Sequence, residues 1–140
     1  VIVLDTSGLL SAIDAGQRLH EPAASVLRRE ERPAVLSPFV LAEVDHLLAT
    51  RVGVDAELAL LREVAAGAYQ LAAFDARDVE TATGIIRRYG DLAVGLADAS
   101  IVVLAARHET NRILTLDERH FRALRPLRGS RSFRLLPHDA

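Results

Sequence analysis

The 140-residue chain contains no cysteine, which excludes disulfides and thiolate metal sites and suits a reducing compartment. Lysine is absent as well, so all 17 basic residues are arginine. That removes phosphate sites built on an essential lysine, the P-loop above all, whose glycine-rich segment is also missing. Aromatics make up 4 % of the chain, so the core must be aliphatic and no aromatic platform for sugars is evident. No apolar run approaches the ~20 residues that span a bilayer, and no basic stretch leads into an apolar one. The sequence therefore predicts a soluble, cytoplasmic protein with no membrane contact. Without repeats, low-complexity tracts or linkers, it reads as one domain over residues 1–140.

What is present is a hydrophobic half, ample for a buried core. The net charge of −2 hides a division along the chain: residues 1–118 hold 18 acids against 11 arginines. Residues 119–134 hold Arg119, Arg122, Arg125, Arg128, Arg131 and Arg134 and no acid. Guanidinium groups pair bidentately with phosphate, so this run is a candidate nucleic-acid contact, and it reads equally well as a solvated terminal segment.

Val1–Leu4 is wholly apolar and stops at Asp5-Thr6-Ser7-Gly8, which predicts a buried strand, a turn and a helix capped by Thr6 or Ser7. Helices are expected over Ser7–Ala15, Glu21–Glu31, Phe39–Arg51, from Asp55 (as cap) to about Gly67, from Asp75 or Asp78 to Tyr89, over Leu96–His108 and over Glu118–Leu124. Strands are expected at Ala34–Leu36, Tyr69–Phe74, Arg112–Leu116 and Ser132–Leu136. This alternation implies an α/β domain with a mostly parallel sheet.

Four acids sit where a hydrophobe would be more stable. Asp5 and Asp117 end apolar strands, and strand C-termini line the ligand crevice of an open parallel sheet. Glu43 shares its helix turn with Phe39, Val40 and Leu47; Asp98 shares its own with Val94, Ile101 and Val102, so both fall on apolar stripes. An unpaired carboxylate there costs several kcal/mol or protonates. Three explanations stay open on the residues alone: caps and partners of buried arginines, an acid–base pair of glycosidase type, or a cluster around a hard divalent cation.

The segments Val3-Leu4-Asp5-Thr6-Ser7-Gly8, Ser37-Pro38-Phe39-Val40-Leu41-Ala42-Glu43-Val44, Gly95-Leu96-Ala97-Asp98-Ala99-Ser100-Ile101 and Ile113-Leu114-Thr115-Leu116-Asp117-Glu118-Arg119-His120-Phe121 resemble, in order, the four motifs of PIN-domain ribonucleases. Together they span almost the whole chain, and its length resembles the VapC toxins of bacterial VapBC toxin–antitoxin pairs. The resemblance implies a three-layer α/β/α sandwich around a mostly parallel sheet of about five strands. It implies that Asp5, Glu43, Asp98 and Asp117 bind Mg2+ or Mn2+ and catalyse hydrolysis of RNA, leaving 5′-phosphate and 3′-hydroxyl ends. By matching position, Thr6 and Thr115 would orient carboxylates or water. Ser100 would join them, or else bond its own helix backbone. Gly8 stands where the family often has alanine.

The same resemblance implies a homodimer, a VapB-type antitoxin docked near Leu9–Ile13 and Val40–Leu48, and a structured RNA substrate, either the sarcin–ricin loop of ribosomal RNA or tRNA. An acidic site repels RNA, so the Arg119–Arg134 run is the expected source of affinity, Arg119, Arg122, Arg125, Arg128 and Arg131 foremost. Asp91 reads as a loop cap near the third motif, and His46 as a residue beside Glu43. Other fold-mates fit worse. A phosphoacceptor receiver needs paired acids and a lysine, a haloacid-dehalogenase-like phosphatase needs an acid where Ser7 stands, and no zinc-hydrolase His-Glu-x-x-His occurs. Within the family, a non-toxin RNA-processing nuclease and a catalytically silent RNA-binding module remain alternatives.

Overall fold

A computed structural model describes all residues from Val1 to Ala140. Its elements follow in the order β1 (Val3–Leu4), α1 (Thr6–Ile13), α2 (His20–Arg29), β2 (Val35–Leu36), α3 (Pro38–Arg51), α4 (Val54–Ala65), β3 (Gln70–Leu71), α5 (Ala76–Arg88), α6 (Leu96–Arg107), β4 (Arg112–Leu114), α7 (Glu118–Ala123) and β5 (Arg134–Leu136). The five strands form one sheet in the order β3-β2-β1-β4-β5, every pairing parallel. Seven helices flank it, as expected of the sandwich.

The strands are short because the apolar runs are short. Val3, Leu4, Val35, Leu36, Ile113 and Leu114 are completely buried, so the inner strands have no solvent face. Edge strand β3 is exposed along both residues and is the shortest remnant of the longer strand expected at Tyr69–Phe74. From β1 the chain winds outward through β2 to β3, then returns to lay β4 on the other side of β1. The boundary between β1 and β4 is thus the switch point of the sheet, where a crevice opens at the strand C-termini. Asp5 leaves β1 there, and Thr115–Asp117 leave β4.

Two glycines set local geometry. Gly8, in the first turn of α1, lies so close to β4 that a Cβ would sit 2.1 Å from the Leu114 carbonyl oxygen. Only a residue without a side chain lets α1 start flush against that backbone. Gly53, at φ +143°, turns the chain from α3 into α4. It takes the cap position expected of Asp55, which falls instead in the first helical turn.

Ser37 caps α3 by accepting from the Phe39 N–H, with Pro38 at the first helical position, and an Asp75–Asp78 capping box starts α5. The expected Thr6 or Ser7 cap of α1 is not made; both lie inside the helix and direct their hydroxyls elsewhere. An aliphatic cluster runs from Ile2 to Leu136, with Phe121 and Phe133 meeting edge to face at 6.3 Å. No helix is long and apolar enough to cross a membrane.

Candidate active site

The cleft at the switch point encloses about 410 Å3 and is lined by Asp5, Glu43, Asp98 and Asp117 together with Thr6, Ser7, Gln17, Leu47, Arg51 and His120. Four acids distant in sequence therefore face one space.

Asp5 is 5 % exposed and sits at the N-cap position of α1 without a side-chain cap hydrogen bond, so capping does not account for its burial. Its Oδ2 accepts from Thr115 Oγ1 at 2.6 Å and Ser7 Oγ at 3.0 Å. Burial pushes its pKa up to about 6; the Thr115 hydrogen bond opposes this and the charge of Asp98 adds to it. Asp98, in the first turn of α6, is also shifted upward. Burial is the main cause, a Gly95 backbone contact and His120 oppose it, and the charges of Asp117 and Glu43 add to it.

Glu43 departs from expectation. Its helix position is apolar in sequence, yet the residue is exposed, because α3 turns that face to the cleft mouth rather than to the core. There its Oε1 accepts from Thr6 Oγ1 at 2.6 Å. Asp117 caps α7 with one oxygen, accepting from the His120 N–H at 3.0 Å, and leaves the other free. It is both a cap and a member of the cluster.

The flanking hydroxyls divide. Thr6 and Thr115 each reach a carboxylate, as expected. Ser100 does not: its buried Oγ lies 2.6 Å from the Ala97 carbonyl oxygen and 2.7 Å from Ser37 Oγ. It fastens α6, which carries Asp98, to the start of α3, which carries Glu43. Ser7 was read only as a cap, yet it donates to Asp5 and accepts from the Leu116 N–H at 2.9 Å, joining β1 to β4 across the crevice.

Arg51 and His120 also line the cleft. Arg51 is the only arginine lining the cleft. Its signal was present, since Glu43, Leu47 and Arg51 recur at helical spacing along one face of α3. His120 lies one turn beyond Asp117, with Nδ1 2.9 Å from Asp117 and 3.4 Å from Asp98. His46 and Asp91 are exposed and do not line the cleft.

None of the six tail arginines lines the cleft. Arg122 is held by Asp139 at 2.7 Å and Glu118 at 3.1 Å, Arg128 donates to the Ala106 carbonyl, and Arg134 donates to the Asp139 carbonyl. Arg119, Arg125 and Arg131 are exposed and make no side-chain hydrogen bond or ion pair.

Carboxylates crowded with so little compensating cation fit a hard divalent ion: two of them are already pushed toward the neutral form, and an ion would reverse that. A profile of the PIN domain matches residues 2–125. Ribonuclease VapC26 of Mycobacterium tuberculosis is 49 % identical over 136 residues, covering 97 % of this chain and all of that protein. The chain belongs to the PIN-domain family, in its VapC branch. Among solved structures, M. tuberculosis VapC20, described as a toxin cleaving the sarcin–ricin loop, superposes with a TM-score of 0.77 at 21 % identity, over 84 % of this chain and 90 % of that one. FitAcB from Neisseria gonorrhoeae gives 0.55 at 20 % identity over 79 % and 84 %. At those identities the two structures speak for the PIN fold alone. In PIN nucleases generally a divalent metal serves the reaction, and Asp98, Asp117 and His120 here each offer a donor atom within 4.8 Å of one another, close enough to hold one.

Proposed function

We propose that this PIN-domain chain is the toxin of a VapBC pair, an endoribonuclease that hydrolyses phosphodiester bonds in structured RNA. The observation that carries the reading is the convergence of Asp5, Glu43, Asp98 and Asp117 on one cleft in a chain nearly half identical to a ribonuclease. Asp5, Asp98 and Asp117 would hold Mg2+ or Mn2+ at the strand ends, with Glu43 at the mouth. Such an ion, when bound, supplies Lewis acidity and lowers the pKa of water.

The chain's own groups prepare that site. Thr115 and Ser7 saturate Oδ2 of Asp5 and leave its Oδ1 for the ligand. Thr6 holds Glu43 toward the same point, where the carboxylate is placed to accept a proton from attacking water. Arg51, at the rim, is placed to meet a phosphate of the RNA. Of the two expected substrates the ribosomal sarcin–ricin loop is the one to test first; VapC20, alike in fold, is described as cleaving it.

The reading places the protein in the cytoplasm, as a homodimer restrained by a VapB-type antitoxin. Leu9, Val40 and Val44 belong to the core and offer no docking surface. Of the expected groove, Ala12, Ile13 and Leu48 line a hollow together with Ala56, Ala59, Leu60 and Glu63 of α4. The continuity of the aliphatic cluster from β1 to β5 supports one domain over residues 1–140.

Total bacterial RNA incubated with the purified chain, and with Asp5→Asn and Asp98→Asn, in Mg2+, Mn2+ or EDTA, tests the reading. Discrete, metal-dependent cuts by the wild type alone support it, and end-mapping names the RNA. Cuts confined to tRNA would remove the ribosomal preference. No cutting in either metal, or equal cutting by both variants, would leave an RNA-binding module instead.

A further inference from the structure

From the geometry around α7 we propose that His120 is itself a metal ligand, a nitrogen donor beside Asp98 and Asp117 that biases this site toward Mn2+ over Mg2+. The inference rests on the metal-nuclease reading above and adds to it the identity of one donor and its consequence for metal choice.

The tautomer comes first. Nε2 of His120 lies 2.8 Å from the carbonyl oxygen of Leu92. A carbonyl only accepts, so Nε2 carries the hydrogen and the neutral ring keeps its lone pair on Nδ1. Leu92 ends the short helical turn Gly90–Leu92, and the following Ala93 adopts a left-handed conformation (φ 52°) rare for a residue with a side chain. That strained turn presents the Leu92 carbonyl to the ring. A ring nitrogen donating to a backbone carbonyl while its opposite nitrogen faces acids is the arrangement found behind metal-bound histidines.

Nδ1 then has an unresolved partner. It is shielded from solvent and makes no hydrogen bond, although Asp117 Oδ2 is 2.9 Å away and Asp98 Oδ2 3.4 Å. At 2.9 Å only direction can fail, so the ring does not aim at that oxygen as a donor would. Adjacent ligand atoms around an octahedral ion with bonds of about 2.1 Å lie about 3 Å apart, close to the 2.9 and 3.4 Å between Nδ1 and the two carboxylate oxygens. Asp98, Asp117 and His120 each offer one donor atom, all within 4.8 Å of one another. Asp117 spends its other oxygen on the α7 cap, so its orientation is fixed before any ion arrives. An imidazole among carboxylates also changes the metal preferred: Mg2+ favours an all-oxygen shell, whereas first-row ions such as Mn2+ accept nitrogen.

Pulsed electron paramagnetic resonance on the Mn2+-loaded full-length protein tests this without a variant. Direct 14N coupling to Mn2+ is expected, replaced by 15N coupling when histidine alone is 15N-labelled. No other histidine lines the cleft. His120→Asn and His120→Gln, checked for folding by circular dichroism, should lose that coupling. Their Mn2+ affinity should fall about tenfold in calorimetry, and Mg2+ affinity much less. Mn2+ bound without nitrogen coupling, or coupling that persists in both variants, overturns the ligand assignment and leaves the four-acid site standing. If neither Mn2+ nor Mg2+ binds the wild type, or binding is unaffected by Asp98→Asn, both readings fall together.

Discussion

The acidic cleft and the arginine-rich C-terminal segment are opposite in charge and opposite in how that charge is satisfied. In the segment, Arg122 is clamped between Glu118 and Asp139, and Asp139 also accepts from the Leu135 N–H. That clamp holds the Asp139 carboxyl far below the usual carboxylate range, the Arg122 hydrogen bond being the main cause. In the cleft, Asp5 and Asp98 are displaced upward by burial and by neighbours of like sign. In the segment, solvent or local partners satisfy each charge; the cleft keeps unfavourable charge in reserve for a ligand that is not part of the chain. Groups that lower stability unless a ligand binds are what a functional site looks like against a structural one.

Asp5→Asn should sharpen this contrast most, because activity and stability move in opposite directions. Loss of the buried anion is expected to cut RNA cleavage on the order of a hundredfold or more. In EDTA at pH 7 the same variant should be more stable than wild type, by up to about 3 kcal/mol if the whole shift from 3.8 to about 6 is relieved. The folded state binds the Asp5 proton more tightly than the unfolded chain, so metal-free wild type gains stability as pH falls from above 6 toward 4. Asp139 behaves in reverse: its stabilisation is full above the unfolded value near 4 and is lost as pH falls further, through the lowered folded value. Thermal melts against pH in EDTA should trace a maximum between these windows. Asp5→Asn should flatten the neutral side and Asp139→Asn the acid side, and saturating Mn2+ should raise the neutral side of wild type and Asp139→Asn but not of Asp5→Asn. A neutral side unchanged by Asp5→Asn would break the comparison.

Gly8→Ala comes next. The new methyl would meet the Leu114 carbonyl oxygen at 2.1 Å and the Thr115 nitrogen at 2.8 Å, backbone atoms that cannot rotate away. Overpacking of this kind costs about 1–3 kcal/mol. It must also shift Thr115 relative to Asp5, so urea denaturation and cleavage should both fall. Normal cleavage in a destabilised variant would show that the Thr115–Asp5 hydrogen bond is not needed for the reaction.

The fold was legible because short apolar runs such as Val1–Leu4 and Ile113–Leu114, too short for helices and bounded by turn signals, read as buried strands, and because acids at their ends disclose the functional edge of a parallel sheet. Asp5 and Asp117 were legible for the same reason, Glu43 and Asp98 from the apolar helix stripes they interrupt and from the family motifs. What escaped was the wiring. Thr6 and Ser7 have the composition of a helix cap, and nothing in sequence tells a hydroxyl bonded to the backbone from one bonded to Glu43 or Asp5. Ser100 errs the other way: its neighbour Ser37 lies 63 residues earlier, and only packing of α6 on α3 brings the hydroxyls together. Glu43 looked buried because its helix neighbours are apolar, yet a cleft cuts into that face. The arginine run conceals a division, since the ion pairs of Arg122 with Glu118 and Asp139 reach outside the window in which no acid occurs.

The smallest expected effects lie in that run, and they divide it. Arg122→Ala removes a pair of ion pairs at the surface and should lower stability by no more than about 1 kcal/mol, with little change in RNA affinity. Arg119, Arg125 and Arg131 have nothing to lose in the folded protein, so their joint replacement by alanine should leave the melting temperature unchanged. If they contact RNA, that triple variant binds more weakly. Its dependence of log affinity on log salt should then be shallower by up to about 2, since each phosphate contact on a single strand contributes about 0.7. Arg51→Ala separates contact at the cleft from contact at the tail: it should reduce affinity by about the amount of one phosphate contact while leaving the tail arginines in place. An unchanged salt slope in the triple variant alongside a weakened Arg51→Ala would confine RNA binding to the cleft rim and return the terminal arginines to the solvated reading that their exposure equally allows.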